Sequence, residues 1–267
     1  LPIEVGVTVY NVETVFNMYN AFKTEAPVTH KYVTVAGEVK NTRTLRVPIG
    51  TEFSHLVDLC GGTTRDDAVY ISGGPMTGNI SNEHDTVTKT TNGILVMPPE
   101  LDVVVKRMKN ISNSAKRAMS ACCHCRMCTE LCPRHQLGHP IEPHAFMNAV
   151  ANGISGAADV RALVNTQYCC QCGVCEMYAC FQGLSPRTLI GQFKAGLRAE
   201  GVKFEKREPG DIDPMREYKK IPVARVTERL GLSKYDLPAP IEENPEMPEY
   251  IRISLRQNIG APAKVIV

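Results

Sequence analysis

Two cysteine strings limit what this chain can fold into more than any other feature. Residues 122–133 read C-x-x-C-x-x-C-x-x-x-C-P, with Cys122, Cys125, Cys128, Cys132 and Pro133. Residues 169–180 read C-x-x-C-x-x-C-x-x-x-x-C, with Cys169, Cys172, Cys175 and Cys180. Three thiolates at intervals of three lie around one tight turn of backbone, where a single iron–sulfur cube can bind them all. The fourth cysteine lies beyond that turn, and in two-cluster arrangements it ligates the other cube. The spacing therefore predicts one [4Fe–4S] cluster on Cys122, Cys125, Cys128 and Cys180. It predicts a second on Cys169, Cys172, Cys175 and Cys132. Two such cores imply electron transfer. The second string departs from the first in one extra residue before Cys180, and in Phe181 where the first has Pro133.

Other readings of so many cysteines fit less well. Disulfide frameworks belong to small secreted chains, and this one has 267 residues and no secretory signal. Structural zinc favours ligands in two pairs, whereas triples with a remote fourth member suit cubes. Cys123 and Cys170 each follow the first ligand of a string; the matching positions hint at internal duplication, and both read as packing residues. Cys60 reads as a small core hydrophobe. With eight cysteines completing two cubes, His124, His135, His139 and His144 read as surface groups or as supports behind the ligands.

The length allows two or three modest domains. A net charge of +2 gives no support to a nucleic-acid or membrane-surface role, and no apolar run reaches the roughly 18 residues that cross a bilayer. Thiolate ligands require a reducing compartment, so the cytoplasm is expected. The start at Leu1 and the apolar ending Lys264-Val265-Ile266-Val267 look like cuts through a longer protein.

Along the chain, Val5 to Tyr10 reads as extended. Asn11 then caps a helix whose apolar positions are Val15, Phe16, Met18, Tyr19 and Phe22. Alternation predicts a hairpin of Val33/Val35 with Leu45/Val47 across Lys40-Asn41. A helix capped by Thr51 should run to Gly61-Gly62, followed by a strand over 68–72. Asn92-Gly93 predicts a second hairpin, joining Thr86–Thr90 to Ile94–Met97. Gly73-Gly74-Pro75-Met76-Thr77-Gly78 matches no phosphate-binding pattern and reads as a loop. From Glu100 the chain becomes helical. Lys106, Arg107, Lys109, Lys116, Arg117 and Arg126 either stabilise an anionic core or merely solvate a helix face. Helices are expected over 143–151, 157–167, 186–201 and 222–230. Lys203 to Arg216 reads as a solvated loop, and Leu237 to Pro248, with four prolines, as an extended wrap.

With these motifs placed, the chain resembles the cobalamin reductases of propanediol-utilization microcompartments and, more distantly, the C subunit of Rnf electron-transport complexes. The resemblance rests on Asn11-Val12-Glu13-Thr14, the strand over 28–39, the 73–78 loop and both cysteine strings. Pro222-Val223-Ala224-Arg225 and residues 256–263 add to it. It implies an α+β fold: a β-grasp soluble-ligand-binding domain over 26–98, then a mainly helical two-cluster ferredoxin domain over 99–185. Residues 1–25 would be the tail of a truncated FMN/NADH-binding domain, and 186–267 a helical and extended C-terminal segment.

The resemblance further implies NADH-dependent oxidoreductase activity, in which electrons pass through FMN and the two clusters to a corrinoid, with NADH and cobalamin as substrates. Asn11-Val12-Glu13-Thr14 is similar to the flavin-lining segment of the NADH-binding subunit of complex I, which makes Asn11 and Thr14 candidate FMN contacts. No residue acts as nucleophile or general base. The family's glycine-rich FMN and NADH segment would lie upstream of Asn11, so the flavin site is incomplete in this chain. Implied partners are the corrinoid or corrinoid-handling enzymes and a microcompartment shell protein, with localisation in the microcompartment. The alternative is a non-catalytic iron–sulfur relay and docking subunit of an Rnf-type complex.

Overall fold

A computed structural model describes residues 6–25, 27–203 and 210–254. The chain divides into two compact units. The first comprises Leu1–Thr64, Asn82–Ile94 and Pro238–Val267; the second comprises Arg65–Ser81 and Leu95–Leu237.

The first unit opens with helix α1 (Val12–Thr24), where the Asn11 side chain accepts from the Glu13 amide at 2.9 Å, as expected for its cap. None of its residues is buried, however. Phe22 is 86% exposed, and the stripe of apolar side chains read from the sequence faces solvent. A polar tie holds the helix instead. Glu13 accepts from the Tyr32 amide (3.1 Å) and pairs with Lys31, which is itself buried and also donates to Asn92. Val5 and residues 255–267 lie outside the described residues, and no strand forms at 7–10.

The hairpin forms as predicted. β1 (His30–Gly37) pairs antiparallel with β2 (Arg43–Pro48), matching Val33 with Leu45, and Val33, Val35, Leu45 and Val47 are fully buried. Helix α2 (Phe53–Leu59) starts at Glu52 rather than Thr51, because the buried Thr51 hydroxyl donates back to the Pro48 carbonyl at 2.8 Å. Gly61 and Gly62, with φ of 87° and 84°, turn the chain out of it. Cys60 is fully buried, and burial pushes its thiol up to about 11.

β3 (Val69–Ser72) and β4 (Asn79–Ser81) pair antiparallel in the second unit, and β5 (Gly93–Met97) begins in the first unit and ends in the second. The strand order is β5-β1-β2-β6 in the first unit, where β6 is Ile241–Glu242, and β4-β3-β5 in the second. The Asn92-Gly93 hairpin does not form. Thr88, Thr90 and Thr91 bond to one another through hydroxyls and to their own backbone, which holds 88–91 in a turn. Asn92 instead accepts from the Thr34 amide on β1. The proline-rich stretch contributes β6 as a short edge strand parallel to β2, a position that tolerates neighbouring prolines.

The second unit is mainly helical: α3 (Asp102–Arg107), α4 (Ile111–Ala121), α5 (Met127–Glu130), α6 (Pro133–Gln136), α7 (Pro143–Asn152), α8 (Ala157–Val164), α9 (Pro186–Ala199) and α10 (Val223–Arg229). One core joins Ala118, Phe146, Met147, Leu163, Leu189 and Ile190 from α4, α7, α8 and α9. A second joins Ile71 and Met97 to Val103, Val104, Met177 and Leu230. The predicted loop over 203–216 falls partly outside the described residues.

Candidate metal centres

Each cysteine string folds as the same turn. In the first, His124 and Arg126 take the left-handed conformation (φ 54° and 63°); in the second, Gln171 and Gly173 do so (58° and 83°). Three of these four carry a side chain that disfavours it, at a cost of order 1–3 kcal/mol each. Two left-handed residues so close together curl the backbone into a concavity, a shape that suits an anionic group.

The two concavities gather sulfurs across the strings. Cys122, Cys125 and Cys128 line one together with Cys180, while Cys169, Cys172 and Cys175 line the other together with Cys132. The Leu184 amide donates to Cys180 Sγ at 3.4 Å, and the Gln171 amide and side-chain Nε2 donate to Cys169 Sγ at 3.4 and 3.3 Å. Burial pushes the Cys128 thiol up to about 12, helped by the neighbouring Cys180, Cys125 and Cys122, and it also raises Cys132, Cys169 and Cys175. Apolar surroundings therefore disfavour bare thiolates here. A metal bound to the sulfurs supplies the positive charge that deprotonates them. Sulfur-only donor sets with amides aimed at the sulfurs fit iron–sulfur cores.

The extra residue of the second string is taken up by a turn of π-helix over Cys175–Ala179. Where the first string has Pro133 opening α6 immediately, the second has a turn at 181–182 before Pro186 opens α9.

Cations hold both sites by their carbonyls. Lys194 donates to Cys169 O (2.7 Å) and Arg187 to Gln171 O (3.2 Å); Lys109 donates to Gly183 O (3.2 Å) and Arg117 to Gln182 O (3.4 Å). At Gly183, holding the carbonyl outward turns the amide of the same peptide unit, that of Leu184, inward to Cys180 Sγ. Lys109 and Arg117 are thus among the predicted cations that act at a site. Lys106 pairs with Asp102, Arg107 donates to Pro75 O (2.9 Å) and Gly78 O, and Lys116 is exposed. The 73–78 loop held by Arg107 also packs on the second site, with Arg187 reaching Thr77 O (3.3 Å).

The histidines sit beside the cysteine-lined cavities or at the surface. His144 lines the first site with its Nδ1 at 2.9 Å from Thr129 Oγ1, exposed His124 meets Asn148, and buried His139 stacks on Tyr168. Cys123 and Cys170 do not pack in a core as expected. Both are exposed, and each lines the mouth of its site. Asn11 and Thr14 lie at the exposed start of α1, in the first unit.

Glu176, Arg187 and Lys194 were not singled out by sequence reasoning. Arg187 and Lys194 are seven apart on α9, hence on one face, which was the only signal for them. Glu176 is fully buried beside Cys175 and accepts from the Thr188 amide (2.8 Å) and hydroxyl (2.9 Å) at the start of α9. No helix among the described residues is long and apolar enough to cross a membrane.

Residues 121–185 match the 4Fe-4S dicluster domain family, and residues 32–79 match the SLBB domain family. The chain is 39% identical to cobalamin reductase PduS of Salmonella typhimurium and 40% identical to that of Citrobacter freundii, over 98% of its own length in each case. It spans 58% of the length of each. Over 51% of its length it is 36% identical to the C subunit of the Na(+)-translocating ferredoxin:NAD(+) oxidoreductase complex of Acetobacterium woodii, covering 28% of that protein. The chain thus carries an SLBB domain and an iron–sulfur dicluster domain, and is a relative of the cobalamin reductases along nearly all of its length and of the Rnf C subunits along half of it.

Proposed function

We propose that this chain is the iron–sulfur portion of a cytoplasmic, NADH-dependent cobalamin reductase. Its ligands are Cys122, Cys125, Cys128 and Cys180 for one [4Fe–4S] cluster, and Cys169, Cys172, Cys175 and Cys132 for the other. The single observation that carries this is the crossed gathering of sulfurs, in which each site takes its last cysteine from the other string. Bound there, the two cores would relay electrons singly between an FMN reduced by NADH and a corrinoid.

The chain's own residues hold and insulate those cores. Lys194, Arg187, Lys109 and Arg117 fix the loop carbonyls, the inward amides of Gln171 and Leu184 meet sulfur, and Leu184, Met147 and Ile190 line the sites with apolar surface. Asn11 and Thr14 are proposed as FMN contacts on the similarity of their segment to flavin-lining segments. Residues 26–98 are proposed as a β-grasp soluble-ligand-binding domain, which the SLBB match within them supports. Residues 99–185 are proposed as the ferredoxin domain, which the dicluster match supports. Residues 1–25 and 186–267 would then be the tail of the flavin domain and a C-terminal segment. The cobalamin reductase relatives support a corrinoid, or an enzyme that handles one, as partner, and a shell protein and microcompartment localisation follow only by that kinship.

The test is direct. Anaerobically prepared chain, reduced with dithionite and mixed with a cob(III)alamin, should be reoxidised as the corrinoid spectrum shifts to a reduced form, and Cys128→Ala should abolish this. Unchanged corrinoid reduction in that variant sinks the reading. The kinship to Rnf C subunits favours a second one, a non-catalytic relay between separate proteins. Reduced chain that holds both clusters but leaves the corrinoid untouched would favour it.

A further inference from the structure

A [4Fe–4S] core takes four cysteines, yet each site here is lined by five. Cys123 joins Cys122, Cys125, Cys128 and Cys180 around the first, and Cys170 joins Cys132, Cys169, Cys172 and Cys175 around the second. The surplus thiol holds the same register in both strings, directly after the first ligand. In each case it is exposed and lines the same cavity as the middle ligand, Cys123 with Cys125 and Cys170 with Cys172.

The backbone causes this. Side chains two residues apart would lie on one face of an extended strand but around the turn of a helix. Here the residue between them, His124 or Gln171, is left-handed (φ 54° and 58°), which folds the chain back and brings both sulfurs to one opening. A surplus cysteine kept for packing would be buried, like Cys60.

We propose that Cys123 and Cys170 are alternate ligands that can replace Cys125 and Cys172 in their cores. This rests on the two-cluster reading above. In the exchange one Fe–S(thiolate) bond breaks and one forms. The incoming thiol gives up its proton and the displaced sulfur takes one, so no electron is gained or lost. The corner held by Cys125 or Cys172 is thus the exchangeable one in each site, whereas Cys128, Cys132 and Cys175 have no second thiol beside them in the strings.

The experiment compares Cys172→Ala with Cys170→Ala/Cys172→Ala in anaerobically prepared chain, by iron and acid-labile sulfide content and EPR of the reduced protein. The single variant should keep about eight irons per chain with an altered EPR line shape, and the double variant should fall to about four. Iodoacetamide labelling of holo-protein, read by peptide mass, gives a second measure: Cys170 should be labelled in the parent chain and protected in Cys172→Ala. Equal iron loss in the single and double variants, or Cys170 labelled equally in both proteins, overturns the exchange. Zinc, or only four irons, in the parent chain overturns instead the two-cluster reading, which makes the two failures distinguishable.

Discussion

The Cys180 amide donates to the Cys175 carbonyl at 3.1 Å, spanning five residues rather than the four of an α-helix. In the first string the corresponding stretch is α5 (Met127–Glu130) followed by a tighter turn, in which the Cys132 amide donates to the Thr129 carbonyl at 2.9 Å. Widening the turn to π absorbs the extra residue of the second string. Without it, a helical residue would rotate Cys180 by roughly 100° about the axis and aim its sulfur away from Cys122, Cys125 and Cys128. The two strings, unequal in sequence, thereby deliver their last cysteines to equivalent places.

The proposed crossed ligation makes the effects of paired substitutions unequal. Cys128→Ala/Cys180→Ala removes two ligands of the same site and should leave about four irons per chain, close to what Cys128→Ala alone leaves. Cys128→Ala/Cys132→Ala removes ligands that are closer in sequence but belong to different sites, and iron should fall toward zero. Iron and sulfide analysis of the purified variants decides it. If Cys128→Ala/Cys132→Ala also retains about four irons, the strings bind without crossing.

The gathering of Cys122, Cys125 and Cys128 with Cys180, and of Cys169, Cys172 and Cys175 with Cys132, was legible in the sequence because cysteine spacing is a local property. The β1–β2 hairpin and α9 were legible for a similar reason: period-two alternation and Ser185-Pro186 act within a few residues. The failures came where a side chain competed with a local pattern. Thr88, Thr90 and Thr91 close on one another and overrule the Asn92-Gly93 turn signal, and the Thr51 hydroxyl turns back to Pro48. Least legible were Arg187, Lys194 and Glu176, whose partners Gln171, Cys169 and Thr188 lie 12 to 25 residues away in sequence.

Gly173 couples the second site to the 73–78 loop. A Cβ there would lie 2.8 Å from the Met76 carbonyl oxygen, on a backbone with φ of 83°. Gly153 has nearly the same φ, 82°, with nothing within 4 Å of its Cβ position. Gly153→Ala should therefore cost only the conformational strain, about 1 kcal/mol. Gly173→Ala should cost about 2–4 kcal/mol, since the carbonyl must also move. Urea unfolding of the two variants checks the difference, and equal costs would mean the loop yields freely.

Glu176 supplies the start of α9 with the acceptor that Ser185 does not, since Ser185 makes no side-chain capping bond. Glu176→Ala would leave the Thr188 amide and hydroxyl without their acceptor and open a cavity, for a loss of about 2–4 kcal/mol. Glu176→Gln keeps one acceptor oxygen and should lose less than half as much. Chemical denaturation of both variants measures this. A glutamine variant as unstable as the alanine one would show that the charge, not the hydrogen bonds, is what matters.

Lys219 sits between Glu130 (2.5 Å) and Asp213 (2.6 Å), and its hydrogen bonds hold both carboxyls below their ordinary range in the folded chain. As pH falls through the ordinary carboxylate range, about 4, the unfolded chain takes up these protons before the folded chain does. The stabilisation is therefore complete above that range and is lost below it. Lys219→Met removes the cause of both shifts. The parent chain should melt above the variant at pH 7, and the gap should close as pH approaches about 3. High salt should narrow the gap at pH 7, because all three groups are partly open to solvent. Thermal midpoints of the two proteins across this range test it: a gap that stays constant with pH would assign the effect of Lys219 to packing of its methylenes rather than to its charge.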